Sequence, residues 1–241
     1  MKEYQCSERE ARNRAAARYE TWYVETKGNW FDRREREIFA RGVVRDSVVL
    51  DLGSGTGRIT ETMARRAALT VALDFSLDSL DRLSGKRLPR VTAVGGDAAT
   101  GLPFQAGTFD VVVSCQVVQH LMSEDLHSAV RECRRVLKGG GRLYLAVYNL
   151  EYWRFRRVAE VMDADGQYYR RFDSRYLRDL ARSTRFAVKR IDYYKTLPTR
   201  GFGTGHLPES LLIRLDQILC RIPMISRFTS AYFFAELEAQ N

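Results

Sequence analysis

The sequence predicts an α/β fold, a mostly parallel sheet with helices on both faces, and three observations predict it. Five short apolar runs rich in β-branched residues recur through the middle of the chain, separated by stretches with helical spacing. A glycine-rich turn follows the first run, where a strand hands over to a helix with no side chains in the way. Polar residues collect just after the runs, at the carboxyl ends where ligands of such sheets bind. Strands alternating with helices are joined by crossovers, and crossovers give parallel pairing.

Glu8–Lys27 and Trp30–Val43 read as two helices, the first with Tyr19, Trp22 and Tyr23 near its end. Val48–Leu52 is the first strand, and Ile59, Met63 and Ala67 recur at helical spacing after it. Thr70–Leu73 is the second strand, ending at Asp74, with Ser76 placed to cap the next helix. Val91–Val94 is the third, ending near Gly96 and Asp97, and Phe109–Ser114 is the fourth, preceded by a turn at 105–107. Leu126, Val130, Cys133 and Leu137 share a helix face that the glycines at 139–141 are expected to stop. Arg142–Val147 is the fifth strand, and helical patterns follow at about 151–162 and 174–184. Phe186–Tyr194 and Tyr232–Leu237 complete the strands. Between them lies an amphipathic helix, Leu207–Ile222, with Leu211, Leu212, Leu215, Ile218 and Leu219 on its apolar side.

A chain of 241 residues, 45% hydrophobic and 29% charged with 5 prolines, is long enough for a full core and excludes a disordered or low-complexity protein. The first residues lack the apolar segment of a secretory signal, and no apolar run reaches the ~18 residues of a membrane span, so a cytoplasmic location is expected. Cys6, Cys115, Cys133 and Cys220 are scattered, as are His120, His127 and His206, so no metal site is expected. The net charge of +9 is uneven: residues 151–200 carry 13 Lys/Arg against 7 Asp/Glu.

The stretch VVLDLGSGTGRIT, Val48 to Thr60, spaces its glycines as G-x-G-x-G at 53, 55 and 57. A dinucleotide fingerprint needs G-x-G-x-x-G, and Arg58 stands where its third glycine belongs. Asp74, at the end of the second strand, is placed to accept ribose hydroxyls. Asp97, at the end of the third, is placed to accept from the amine of a base. Together they fit a nucleoside better than a pyrophosphate.

These residues resemble class I S-adenosylmethionine-dependent methyltransferases, in the small-molecule branch similar to ubiquinone and menaquinone C-methyltransferases. VLDLGSGTG, ALDFS, GGDAATGLPFQAGTFDVVVSCQVVQHL and ECRRVLKGGGRLYLAVYN carry the resemblance, which is dense from Val48 to Asn149. It implies a single Rossmann-like domain over 1–241 with seven strands, the last antiparallel. In that domain 1–43 is a helical cap, 44–150 the cofactor core, 151–229 the substrate side and 230–241 the last strand. It implies S-adenosylmethionine as cofactor. Gly53, Ser54 and Gly55 would line the methionine and ribose part, with Asp51 bonding nearby. Asp74 would hold the ribose, Phe75 the adenine ring, and Asp97 with Ala98 the adenine amine. Cys115 and Gln116 would pass beneath the methionine, and His120 would stand at the mouth. Arg185 departs from the pattern, since relatives carry glycine before the sixth strand.

The expected reaction is in-line methyl transfer to an O, N or C atom of a small-molecule acceptor. His120 is the candidate general base, because its ordinary pKa of about 6.5 suits proton abstraction. Tyr19, Trp22 and Tyr23 are candidates to close over the cofactor, and Trp22, Tyr23, Tyr148 and Asn149 to face the acceptor. Cys115 as a nucleophile, as in some RNA cytosine C5-methyltransferases, lacks the proline expected before it; Ser114 stands there. Three alternatives stay open. The basic 151–200 segment, interleaved with Tyr152, Tyr168, Tyr169 and Tyr176, would suit an RNA substrate. The chain could bind the cofactor without turnover. The Leu207–Ile222 helix, with Arg214 and Arg221, could touch a membrane surface. The sequence leaves the oligomeric state open.

Overall fold

In the computed structural model, seven strands form one sheet in the order β3-β2-β1-β4-β5-β9-β8. The structure describes residues 3–240 except 20, 22, 24–28, 44, 156–157, 164–166 and 198–206; Trp22 therefore lies outside the described residues. The strands are β1 (Val48–Leu52), β2 (Leu69–Asp74), β3 (Val91–Gly95), β4 (Phe109–Cys115), β5 (Leu137–Tyr148), β8 (Phe186–Tyr194) and β9 (Tyr232–Ala239). β1 to β5 pair in parallel, whereas β9 runs antiparallel between β5 and β8. The last strand thus slots into the sheet and leaves β8 at the edge.

Period-two alternation builds a core on each face. Leu50, Leu52, Val112, Leu145 and Phe233 point to the face covered by α5 (Ser123–Val136) and α6 (Ser174–Ser183), which contribute Leu126, Val130, Leu177 and Leu180. Val49, Val111, Val113, Tyr144 and Phe234 point to the other face. There they meet Phe31 and Phe39 of α2 (Asn29–Gly42) and Leu212 and Ile213 of α7 (Glu209–Leu219). The N-terminal α1 (Glu3–Ala16) packs against α4 (Leu77–Gly85). Ser76 caps α4 as expected, its Oγ accepting from Ser79 N at 3.2 Å.

Four local expectations give way to longer-range packing. The expected helix at 151–162 is a short turn at Trp153–Phe155 followed by a hairpin, β6 (Glu160–Met162) with β7 (Tyr168–Arg170). Arg170 pairs with Glu160 across it, so cross-strand pairing outranks local periodicity. The glycines at 139–141 do not stop α5, which ends at Val136; they lie inside β5, where the register shifts between Phe109 and Val111 of its partner. The helix after the first strand, α3, covers only Thr60–Ala64, although Ile59, Met63 and Ala67 are all buried. In α7 the buried face is Leu212, Ile213 and Asp216, while Leu211 and Ile218 face solvent. Asp216 displaces the expected apolar face because it is needed inside: its carboxylate accepts from the backbone of Lys195 (3.3 Å) and Thr196 (2.7 Å).

Arg185 adopts φ 59°, the left-handed conformation that glycine takes without strain. The α6–β8 turn therefore places a non-glycine residue in a conformation that favours glycine. Among the described residues, no helix is long and apolar enough to cross a membrane.

Candidate active site

The carboxyl ends of β1, β2, β3 and β4 open into a cleft of about 930 Å3, solvent at its mouth included. Gly53 and Gly55 form its floor. A Cβ on Gly53 would come within 2.4 Å of the Val117 side chain, so only glycine lets the turn pack there. Gly55 holds φ 54°, and a Cβ there would meet nothing within 4 Å, leaving its backbone facing open space.

Asp74 ties this turn to the next one. Its Oδ2 accepts from Gly55 N at 2.7 Å and its Oδ1 from Ser76 N at 2.8 Å. Burial pushes its carboxyl pKa up, against the pull of those backbone bonds and of Arg12. The side chain lines the cleft with Phe75, Asp97 and Ala98, which supply an aromatic face, an acceptor and a small wall. Asp97 Oδ1 also accepts from Ala99 N at 2.9 Å, closing an Asx turn. Tyr19 of the N-terminal segment, Cys115, Gln116 and His120 complete the candidates that line the cleft.

The other candidates stand elsewhere. Asp51 lies beneath the turn, where Thr60 Oγ1 donates to it at 2.7 Å and burial raises its pKa to about 6. Ser54 is buried, and its Oγ has no partner among the described residues. Asn149 is fully buried and does not face the cleft. Its Nδ2 donates to the carbonyls of Arg227 (2.7 Å) and Ser230 (2.8 Å), and its Oδ1 accepts from Glu151 N (3.1 Å). Tyr148 stacks on Tyr232, with ring centroids 4.7 Å apart. Tyr23 is buried in the network described next.

Sequence reasoning missed that network entirely. Glu35 of α2 is fully buried beside the end of β4. Its Oε1 accepts from Gln116 Nε2 (2.7 Å) and Tyr194 OH (2.8 Å). Its Oε2 accepts from Tyr23 OH (2.5 Å) and pairs with Arg58 Nη2 (2.8 Å). Arg58 also bonds Asp32 (2.9 Å) and Cys115 Sγ (3.3 Å), and its guanidinium lies 4.0 Å above the Tyr23 ring. The arginine that breaks the dinucleotide fingerprint therefore anchors a buried cluster under the Cys115–Gln116 wall of the cleft. Gln116 needs that support, since its φ of 59° is a strained value for a non-glycine residue. Burial and then the Glu35 charge push the Cys115 thiol up, so it is held protonated and is a poor nucleophile.

Arg12 of α1, also missed, reaches over the mouth. Its Nη2 lies 3.2 Å from His120 Nε2, while His120 Nδ1 lies 3.1 Å from the Tyr168 carbonyl. A carbonyl only accepts, so Nδ1 carries the hydrogen and the Nε2 lone pair accepts from Arg12. Burial, with Arg12 beside it, holds the His120 pKa well below its ordinary value. The only sequence signal for Arg12 was its place on a helix predicted to cap the cleft. Among the described residues, no group of three or more His, Cys, Asp or Glu is arranged to hold a metal.

Residues 50–145, which hold most of β1, all of β2 to β4, most of β5 and most of this cleft, match the family model described as "Methyltransferase domain". That stretch of the chain is a methyltransferase-domain match. The methyltransferase core is 40% identical over 101 residues to the demethylmenaquinone methyltransferase of Corynebacterium urealyticum, covering 42% of this chain and 41% of that protein. It is 36% identical over 120 residues to the enzyme of the same name from Thermobifida fusca, covering 48% and 50%. The chain thus spans about half the length of the curated relatives it matches. The methyltransferase fold extends further than the sequence match. A chain in the DhpI–SAH complex structure superimposes with a TM-score of 0.67 at 16% identity, over 97% of this chain and 96% of that one.

Proposed function

We propose that this chain transfers a methyl group from S-adenosylmethionine to an O, N or C atom of a small-molecule acceptor by in-line displacement. The observation that carries the reading is the cleft itself. Bare backbone at Gly53 and Gly55, the Asp74 carboxylate, the Phe75 ring and Asp97 follow one another along one sheet edge. The residues fit the cofactor. A carboxylate has about four acceptor sites, so Asp74 keeps capacity beyond its bonds from the Gly55, Ser76 and Phe75 backbone. The space over Gly55 is empty, and the buried Ser54 hydroxyl has an unused hydrogen-bonding capacity beside the turn.

When bound, S-adenosylmethionine supplies an electrophilic methyl on a sulfonium. The chain's own residues then do the rest. Asp74 would hold the ribose end, and Phe75 and Ala98 would hold the base. Gln116 and Cys115, fixed from below by Glu35 and Arg58, would form the wall against which the acceptor is oriented. Such alignment contributes up to about 7–11 kcal/mol in well-oriented model reactions. Tyr19 and Arg12 close the mouth and exclude water.

In this reading His120 is not a base. Its acceptor nitrogen is held by Arg12, so it positions that guanidinium. Small-molecule transfer is supported over RNA by the fate of the basic segment. Arg170 pairs with Glu160, Arg190 with Asp192, and Arg171 stacks on Phe155, so these three cations serve local contacts. The relatives' name, demethylmenaquinone methyltransferase, supports a small-molecule acceptor as well.

The test is release of S-adenosylhomocysteine in the presence of an acceptor, measured against pH in the wild type and in His120→Gln. The expected result is acceptor-dependent release, with the variant slower by a similar factor at every pH. An inflection between about pH 5 and 7.5 that disappears in the variant would make His120 the base instead. No release with any acceptor would leave a binding module without turnover.

A further inference from the structure

Of the eleven large hydrophobic residues that the described structure exposes, seven fall between Leu207 and Phe228. They lie on α7, on the short α8 (Pro223–Thr229) that follows it, and on the residues just before and between them. Leu211, Ile218, Ile222, Met224, Ile225 and Phe228 all face solvent there, with Met224 80% and Ile218 57% exposed. Soluble surfaces scatter such residues singly, so a concentrated group marks a contact. The opposite side is already committed: Leu212, Ile213 and Asp216 are buried against α2 and the 195–196 backbone.

Charge identifies the occupant. Exposed Arg214 and Arg221 stand among the apolar residues, and neither pairs with a carboxylate among the described residues. Asp216, the acidic residue on this helix whose side chain is described, is turned inward. The neighbouring Arg227 is neutralised by Glu151, which ties α8 to the rest of the domain and fixes the face in place. An isologous contact with a second copy would set these arginines among their own symmetry mates in a partly apolar interface, at an electrostatic cost. Anionic headgroups would instead neutralise them while the apolar side chains enter the headgroup boundary. The placement is also productive. The segment carrying α7 and α8 leaves β8 at Tyr194 and returns into β9 at Tyr232, opposite Tyr148. That is the sheet edge on which the cleft opens.

We propose that this α7–α8 face docks the protein on an anionic phospholipid surface. The proposal goes beyond methyl transfer and holds whether or not that reading is right. The probe is sedimentation with vesicles of phosphatidylcholine alone or mixed with phosphatidylglycerol, using the full chain. Binding to the anionic vesicles is expected to exceed that to neutral ones by about tenfold or more, and to weaken as salt screens the arginines. Met224→Glu with Phe228→Glu should abolish it, and Arg214→Gln with Arg221→Gln should reduce it to the neutral-vesicle level. These residues are exposed, so unchanged thermal midpoints would show that the variants fold. Equal or absent binding to both vesicles overturns the proposal. So does a wild-type dimer in sedimentation equilibrium that Met224→Glu dissociates while no vesicle binding occurs, because the face would then be an interface between copies.

Discussion

Asp74→Ala weakens S-adenosylmethionine binding by about tenfold or more, since a desolvated acceptor of two hydroxyls is lost. The structure adds a second consequence. Gly55 N and Ser76 N both lose their acceptor, so the turn after β1 and the cap of α4 loosen together. Two orphaned donors cost about 1–3 kcal/mol each where water cannot replace the carboxylate. The variant should therefore unfold at lower urea concentration as well as bind more weakly. Asp74→Asn separates the effects. One oxygen remains to accept, so stability should recover in part while the ribose still meets an amide donor and affinity stays low. Calorimetry and urea melts on both variants check this. Unchanged affinity in Asp74→Ala would remove Asp74 from the cofactor site.

Glu35→Ala has the larger effect on the fold. Arg58, Tyr23, Tyr194 and Gln116 all direct donors at this carboxylate, and all would be left facing a void. Breaking a buried ion pair by removing one partner costs about 3–5 kcal/mol, a large share of a domain's ~5–15 kcal/mol. Glu35→Gln retains the volume and loses the charge, so it should fold and reveal the positioning role. Gln116, held in a strained left-handed conformation, is then less firmly fixed, and cofactor affinity falls without any direct contact being removed. A loss below about 1 kcal/mol in Glu35→Ala would show that the network is slack.

How much of this was legible in the chain differs residue by residue. Asp74 and Asp97 could be read because a strand end fixes where a side chain stands, and the strands announced themselves by composition. Ser76 could be read as a cap for the same local reason. The clamp that Asp74 places on Gly55 could not, because it depends on how two turns face each other. Glu35 and Arg58 looked like ordinary charges on a helix and after a turn. Their burial follows from α2 docking beneath the end of β4, which no local pattern specifies. Asp216 misled the reading of its helix in the same way: an acidic residue reads as outward until the backbone at 195–196 is seen to need an acceptor. Asn149 was placed on the acceptor side because it ends β5, but three hydrogen bonds to neighbouring backbone turn it inward. The β6–β7 hairpin was hidden because its pairing joins residues whose local spacing is helical.

The central claim is that the G-x-G-x-G turn, with Arg58 in place of a further glycine, serves a nucleoside carrying an amino-acid tail and not a dinucleotide. The most direct measurement is a calorimetric titration of the wild-type protein with S-adenosylhomocysteine and, separately, with NAD. The predicted result is saturable one-to-one binding of S-adenosylhomocysteine and no heat with NAD. Binding of NAD, or none of S-adenosylhomocysteine, would contradict it.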